Sequence, residues 1–135
     1  MRQIKRTIAV LTATIIAMTL APVPAAQAAQ PSIVVEAATI SYYSQDELFV
    51  NGYATCSQPI GQAQIEVSAL QLGNGPVGFG FTTFDCSSPY RSWGVYISSG
   101  SIYTPWLSGY LVAGNVKLIL NGVVEAISCP CITAW

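Results

Sequence analysis

Histidine is missing from the chain and charge is scarce, with five Lys and Arg against six Asp and Glu in 135 residues. Without an imidazole there is no Ser-His-Asp or Cys-His catalytic unit, no HExxH zinc site and no Cys₂His₂ finger. No amphipathic helical period, internal repeat, low-complexity tract or interdomain linker is visible. What the chain has in quantity is apolar: 52% of its residues are hydrophobic. That excludes disorder and, at this length, fits one domain.

The N-terminus has its own pattern. Arg2, Lys5 and Arg6 precede the uncharged apolar run from Ile8 to Ala21, followed by Pro22, Pro24 and the small-residue stretch Ala26-Gln27-Ala28. This order reads as a secretory signal peptide over residues 1–28. The run is shorter than the roughly 20 residues that span a bilayer, and the prolines end it. The expected product is a secreted, extracellular chain of residues 29–135 with no membrane attachment after cleavage. Arg91 and Lys117 are then the only basic groups, against Glu36, Asp46, Glu47, Glu66, Asp85 and Glu125, a formal net charge of −4. Two isolated cations cannot neutralise a run of phosphates, so nucleic acid is an unfit partner.

The cysteines, Cys56, Cys86, Cys129 and Cys131, all lie in the mature part. An even count in a small exported domain implies a disulfide framework, for which three pairings exist on paper. Cys56 and Cys86 each end a strand-like run, and joining them closes a loop of about 31 residues, worth about 3.7 kcal/mol in the chain-entropy model. In Cys129-Pro130-Cys131 the two α-carbons are about 7 Å apart when extended, so a bridge requires a bend at Pro130. A terminal staple is expected there. A soft-metal or redox reading of the pair lacks a third ligand, so neither metal nor cofactor is expected.

From Ile33 onward the apolar residues alternate in short runs separated by Gly, Pro, Asn and Ser, the pattern of an all-β domain. Strands are expected over 33–43, 48–56, 63–72, 77–86, 93–97, 107–113, 116–120 and 123–127. Leu48, Val50, Gly52, Ala54 and Cys56 share one face, as do Ala63, Ile65, Val67 and Ala69. Turns are expected at Gly73-Asn74-Gly75-Pro76, at Gly114-Asn115 and, as a type I′ hairpin, at Asn121-Gly122. That hairpin sets Leu120 opposite Val123, Leu118 opposite Glu125 and Val116 opposite Ile127. With Phe79 and Phe81 inward, a bulge near Thr82-Thr83 is needed to bring Cys86 to the same face. Seven or eight such strands suit a two-layer antiparallel immunoglobulin-like sandwich, with a small closed barrel as the alternative.

The residues Val50-Asn51-Gly52-Tyr53-Ala54-Thr55-Cys56, then Ile65, Val67 and Gln71, then Cys86 and Trp93-Gly94-Val95, resemble small secreted immunoglobulin-like proteins of actinobacteria. The resemblance runs from Ile33 to about Ile127 and implies a fold, most of those proteins having no assigned function. In size, charge and compartment the chain is also similar to the neocarzinostatin group of acidic exported sandwiches.

Aromatics are the class with the most binding potential. If Leu48, Val50 and Ala54 face inward, Phe49 and Tyr53 face outward as a platform. Tyr103 and Trp106 lie in a polar connection, either as a binding loop or with Trp106 capping the core. The expected function is a non-enzymatic extracellular binding module for a glycan or protein at the cell surface, with self-association possible. One alternative is a carrier holding an apolar small molecule in a pocket lined by Phe79, Phe81, Trp93 or Trp106. Another is a polysaccharide-acting enzyme, which needs two carboxylates converging across a sugar.

Overall fold

A computed structural model describes residues 28–100 and 104–135. The signal-like leader through Gln27 and the candidate Tyr103 lie outside the described residues. Eight strands follow in order: β1 (Ser32–Ile40), β2 (Glu47–Thr55), β3 (Gln62–Gln71), β4 (Val77–Asp85), β5 (Ser92–Ser98), β6 (Leu111–Leu120), β7 (Val123–Ser128) and β8 (Cys131–Thr133). They form one ribbon ordered β1-β2-β5-β4-β3-β6-β7, with β8 also on β6. The ribbon folds into an immunoglobulin-like sandwich in which β1, β2 and β5 face β4, β3, β6 and β7.

Alternation builds the core as expected. Leu48, Val50 and Ala54 from β2 and Trp93, Val95 and Ile97 from β5 meet Ala63, Ile65, Val67 and Ala69 from β3 and Val116, Leu118 and Leu120 from β6, all buried. In β1 the ladder shifts between Val35 and Ala37. That bulge changes the phase, so Ile33 before it and Ala38 after it both point inward. Gly52 lies opposite Val35. A β-carbon on Gly52 would collide with the Val34 carbonyl, so only glycine lets β1 cross there.

The ribbon also closes on itself. The Trp135 N–H donates to the Ala38 carbonyl (3.1 Å) and the Ile40 N–H donates to the Trp135 carbonyl (2.6 Å), beside a parallel bridge between Ala38 and Ala134. The sandwich is therefore latched like a flattened barrel.

Four expectations need correction. Gly114-Asn115 is no turn but the middle of β6; Gly114 lies opposite Ala69, close to the Ser68 carbonyl and the Pro130 ring, where a bare backbone suits the approach. In β4 there is no bulge, and Gly78, Gly80 and Phe84 face inward while Phe79 and Phe81 are 59% and 66% exposed. In the last hairpin Asn121 and Gly122 do take positive φ. The ladder then slips at Glu125, so Leu118 faces Ala126 and Val116 faces Ser128.

The fourth correction concerns the cysteines. Cys56 and Cys86 are bonded, with α-carbons 5.5 Å apart. Cys129 and Cys131 are unbonded and exposed, so the staple is not formed. The reason is register: Ile127 faces Lys117, Ser128 faces Val116 and Cys131 faces Ala113, while the Gly114 N–H donates to the Pro130 carbonyl (2.9 Å). The chain runs straight through Pro130, and the bend a bridge requires is absent.

Two outcomes follow. Replacing Gly52 by Ala should lower stability by about 1–3 kcal/mol, through the overpacking cost of a forced backbone shift. A urea midpoint equal to that of the parent would refute the crossing described for β1. At the fully exposed turn after β4, the Ser87 hydroxyl (2.6 Å) and N–H (2.9 Å) both donate to Asp85 Oδ1 and lower its pKa, the hydroxyl bond foremost. A lowered carboxylate stabilises the fold above its unfolded-state pKa, and that share is lost as pH falls through the folded-state value. Ser87→Ala should return the Asp85 carboxyl, followed by NMR titration, upward toward its ordinary range.

Candidate functional site

Antiparallel topology brings the β1–β2, β3–β4 and β5–β6 connections and the C-terminal Trp135 to the same end of the sandwich. Tyr42, Tyr43, Trp106, Tyr110 and Trp135 therefore gather from three distant stretches of chain. Backbone bonds position the segments of Trp106, Tyr110 and Trp135. The Trp106 N–H donates to the Gln45 carbonyl (2.8 Å), the Gly109 N–H to the Ala134 carbonyl (2.8 Å), and the Ala134 N–H to the Tyr110 carbonyl (3.0 Å). Trp135 is thus held at its main chain while its ring is 72% exposed.

Trp106 is buried at 1% exposure, its benzo edge packed beside Gly78. The capping reading holds for this residue, and it is not a surface platform. Its indole Nε1 is buried and meets no hydrogen-bond partner among the described residues. Leu107 is clasped by the buried Gln71 side chain. Gln71 Nε2 donates to the Leu107 carbonyl (2.7 Å) and the Leu107 N–H donates to Gln71 Oε1 (2.8 Å). The amide imitates a strand neighbour and fixes the chain just after Trp106.

These elements enclose an open hollow of about 350 Å³, within the usual range for small-ligand sites. It is lined by exposed Tyr42, Trp135 and Leu107, by buried Trp106 and by Ile40. Its polar groups are neutral, from Ser41, Gln45 and Ser108. A second hollow of about 200 Å³ on the other side of Leu107 is lined by the Leu72–Pro76 turn, Thr104, Pro105 and Tyr110. Among the described residues no charged side chain lines either one. Tyr43 meets Tyr42 edge-on, with centroids 5.4 Å apart.

Phe49 and Tyr53 do face outward on β2, two positions either side of Asn51. Phe49 is half-buried because its ring covers Gly94 and packs on Tyr96, with centroids 4.8 Å apart. Tyr53 is half exposed opposite Ser92. They share a sheet face and do not join the loop-end hollow. The hollow's own walls, Tyr42 and Trp135, escaped the sequence reading. Their signal was weak: two aromatics in polar or terminal stretches whose proximity depends on ring closure.

The apolar carrier's pocket is not formed. Phe79 and Phe81 point to solvent, Trp93 and Trp106 are packed, and the gap between the layers, near Val50, Val67 and Val116, holds about 10 Å³, room for about one water. The carboxylates are dispersed. Glu125, displaced by its bulge, accepts the Ser57 N–H (3.0 Å) and the Ser57 hydroxyl; Glu66 accepts Gln64 Nε2 (3.1 Å); Asp85 is taken by Ser87. None lines the hollows, and no cluster of three Cys, Asp or Glu with metal-binding geometry exists among the described residues.

No family model matches the chain, and no curated protein does. Among solved structures it is similar to two of a glycosyl hydrolase family 2 member from Bacteroides cellulosilyticus, the first from DSM 14838. Each has a TM-score of 0.45 and 13% identity over 77% of this chain. The chain covers 14% and 13% of those chains, about a seventh of their length.

The Gln71 clasp is testable. Gln71→Leu leaves the Leu107 N–H and carbonyl without partners and should cost about 1–3 kcal/mol for each group that stays buried. Hydrogen exchange at Leu107 should accelerate well beyond that of the β3 core. Unchanged protection would show that the clasp does not hold the loop.

Proposed function

We propose that the mature chain is an exported, non-catalytic binding module that seats a neutral, hydroxyl-rich ligand, such as the end of a glycan, in the hollow between Tyr42 and Trp135. The observation that carries this reading is the hollow's chemistry: aromatic sides, neutral hydroxyl and amide groups, and no charge. Aromatic faces take the apolar face of a sugar ring while Ser41, Gln45 and Ser108 answer its hydroxyls. The Cys56–Cys86 disulfide supports an oxidising, extracellular compartment, and among the described residues no helix is long and apolar enough to cross a membrane. The likeness to small secreted immunoglobulin-like proteins of actinobacteria stands beside this reading as part of the proposal.

A protein partner is the second reading, favoured by exposed Val77, Phe79 and Phe81 in a row on β4, away from the hollow. A glycan array followed by calorimetry on the mature protein separates the two. Tyr42→Ala and Trp135→Ala should each weaken glycan binding at least about tenfold, the scale of an aromatic anchor. Phe81→Ser should leave it unchanged. Loss of binding in Phe81→Ser alone would move the site to β4, and the absence of any glycan hit would remove the proposal.

A further inference from the structure

Cys129 and Cys131 are the chemistry that neither the fold nor the hollow uses. β7 and β8 keep one register along β6, so the segment through Pro130 is extended. Residues two apart on a strand share a face and stand about 6.8 Å apart. Both cysteines are accordingly exposed, while Pro130 turns its ring inward over Gly114. The Gly114 N–H to Pro130 carbonyl bond pins the centre of the segment.

That spacing discriminates between bridges. A disulfide wants its β-carbons about 3.8 Å apart and would have to break the pairing to β6. A metal ion held by two thiolates at about 2.3 Å each spans about 4.6 Å between sulfurs, which rotation of the two side chains provides without moving the backbone. The missing third ligand argues against Zn(II), which wants four. It does not argue against Cu(I), a soft ion selected by thiolates and content with two.

We propose that Cys129 and Cys131 form a two-thiolate clamp for one Cu(I)-class cation. Binding releases the two thiol protons to solvent, forms two metal–sulfur bonds and requires no change of oxidation state. Pro130 and the β6 ladder set the clamp's geometry in advance, so little ordering is left to do on binding.

The test uses the mature chain with the Cys56–Cys86 bond intact and Cys129 and Cys131 verified as thiols, kept anaerobic and titrated with Cu(I) against a chromophoric competitor, with native mass spectrometry for stoichiometry. One Cu(I) per chain is expected. Cys129→Ser and Cys131→Ser, both at exposed positions, should each weaken binding by at least ~100-fold, no less than the loss of an outer-shell partner costs. Circular dichroism should show both variants folded. Retention no better than that of the double serine variant, equal retention of Zn(II), or copper bridging two chains would each overturn the clamp. So would peptide mapping of the secreted protein that finds Cys129 bonded to Cys131. None of these results depends on whether a glycan binds the loop-end hollow.

Discussion

Gly78 and Gly80 determine how the two layers meet. β4 and β5 share a single ladder pair, Phe79 with Ser98. A β-carbon on Gly78 would sit 2.5 Å from the Ser98 carbonyl, and one on Gly80 would sit 2.6 Å from the Tyr96 carbonyl. The β5 backbone occupies the space that inward side chains on β4 would need. With glycine on the inner face, the strand's period of two sends Val77, Phe79 and Phe81 to the outside. The exposed phenylalanines are thus the other half of a constraint imposed at the corner, whatever further use that face serves.

The hollow inherits its form from the same corner. Because Gly78 has no side chain, the Trp106 ring lies against it and becomes a floor. Gln71 then clasps Leu107, and the closing pair between Trp135 and β1 raises the Trp135 ring at one side. Main-chain bonds fix the backbone at Trp106 and Trp135 before any ligand arrives. Preorganisation of this kind reduces the ordering cost that otherwise consumes binding energy.

Much of the architecture was legible in the sequence because alternation is a local signal. The inward faces of β2, β3 and β5, the Asn121-Gly122 turn and the Cys56–Cys86 bond all follow from patterns within ten residues or from two strand ends. The misreadings occurred where a distant backbone decides. Phe79 outranks Gly78 in hydrophobicity, yet the approach of β5 reverses which of them is inside. Gly114 looks like a turn residue, yet β3 and the Pro130 ring explain it within a strand. A regular hairpin sets Glu125 opposite Leu118; the chain instead bulges there and delivers the carboxylate to Ser57, 68 residues away in sequence. Of the residues that line the hollow, Trp106 alone is among the candidates the sequence singles out. Tyr42 and Trp135 are not, because only the closure of the ribbon makes them neighbours.

The two cysteine pairs separate proximity in sequence from proximity in space. Cys56 and Cys86, with 29 residues between them, end strands in opposite layers whose packing sets their α-carbons 5.5 Å apart, and the bond fastens the end of the sandwich away from the hollow. Cys129 and Cys131, with only Pro130 between them, are kept apart by the extension that lets the last strand lie along β6. Closing them would shorten that strand just before Ala134 and Trp135, whose main-chain bonds latch the ribbon to β1 and support one side of the hollow. An open Cys-Pro-Cys segment and a closed sandwich are therefore two consequences of the same straight strand.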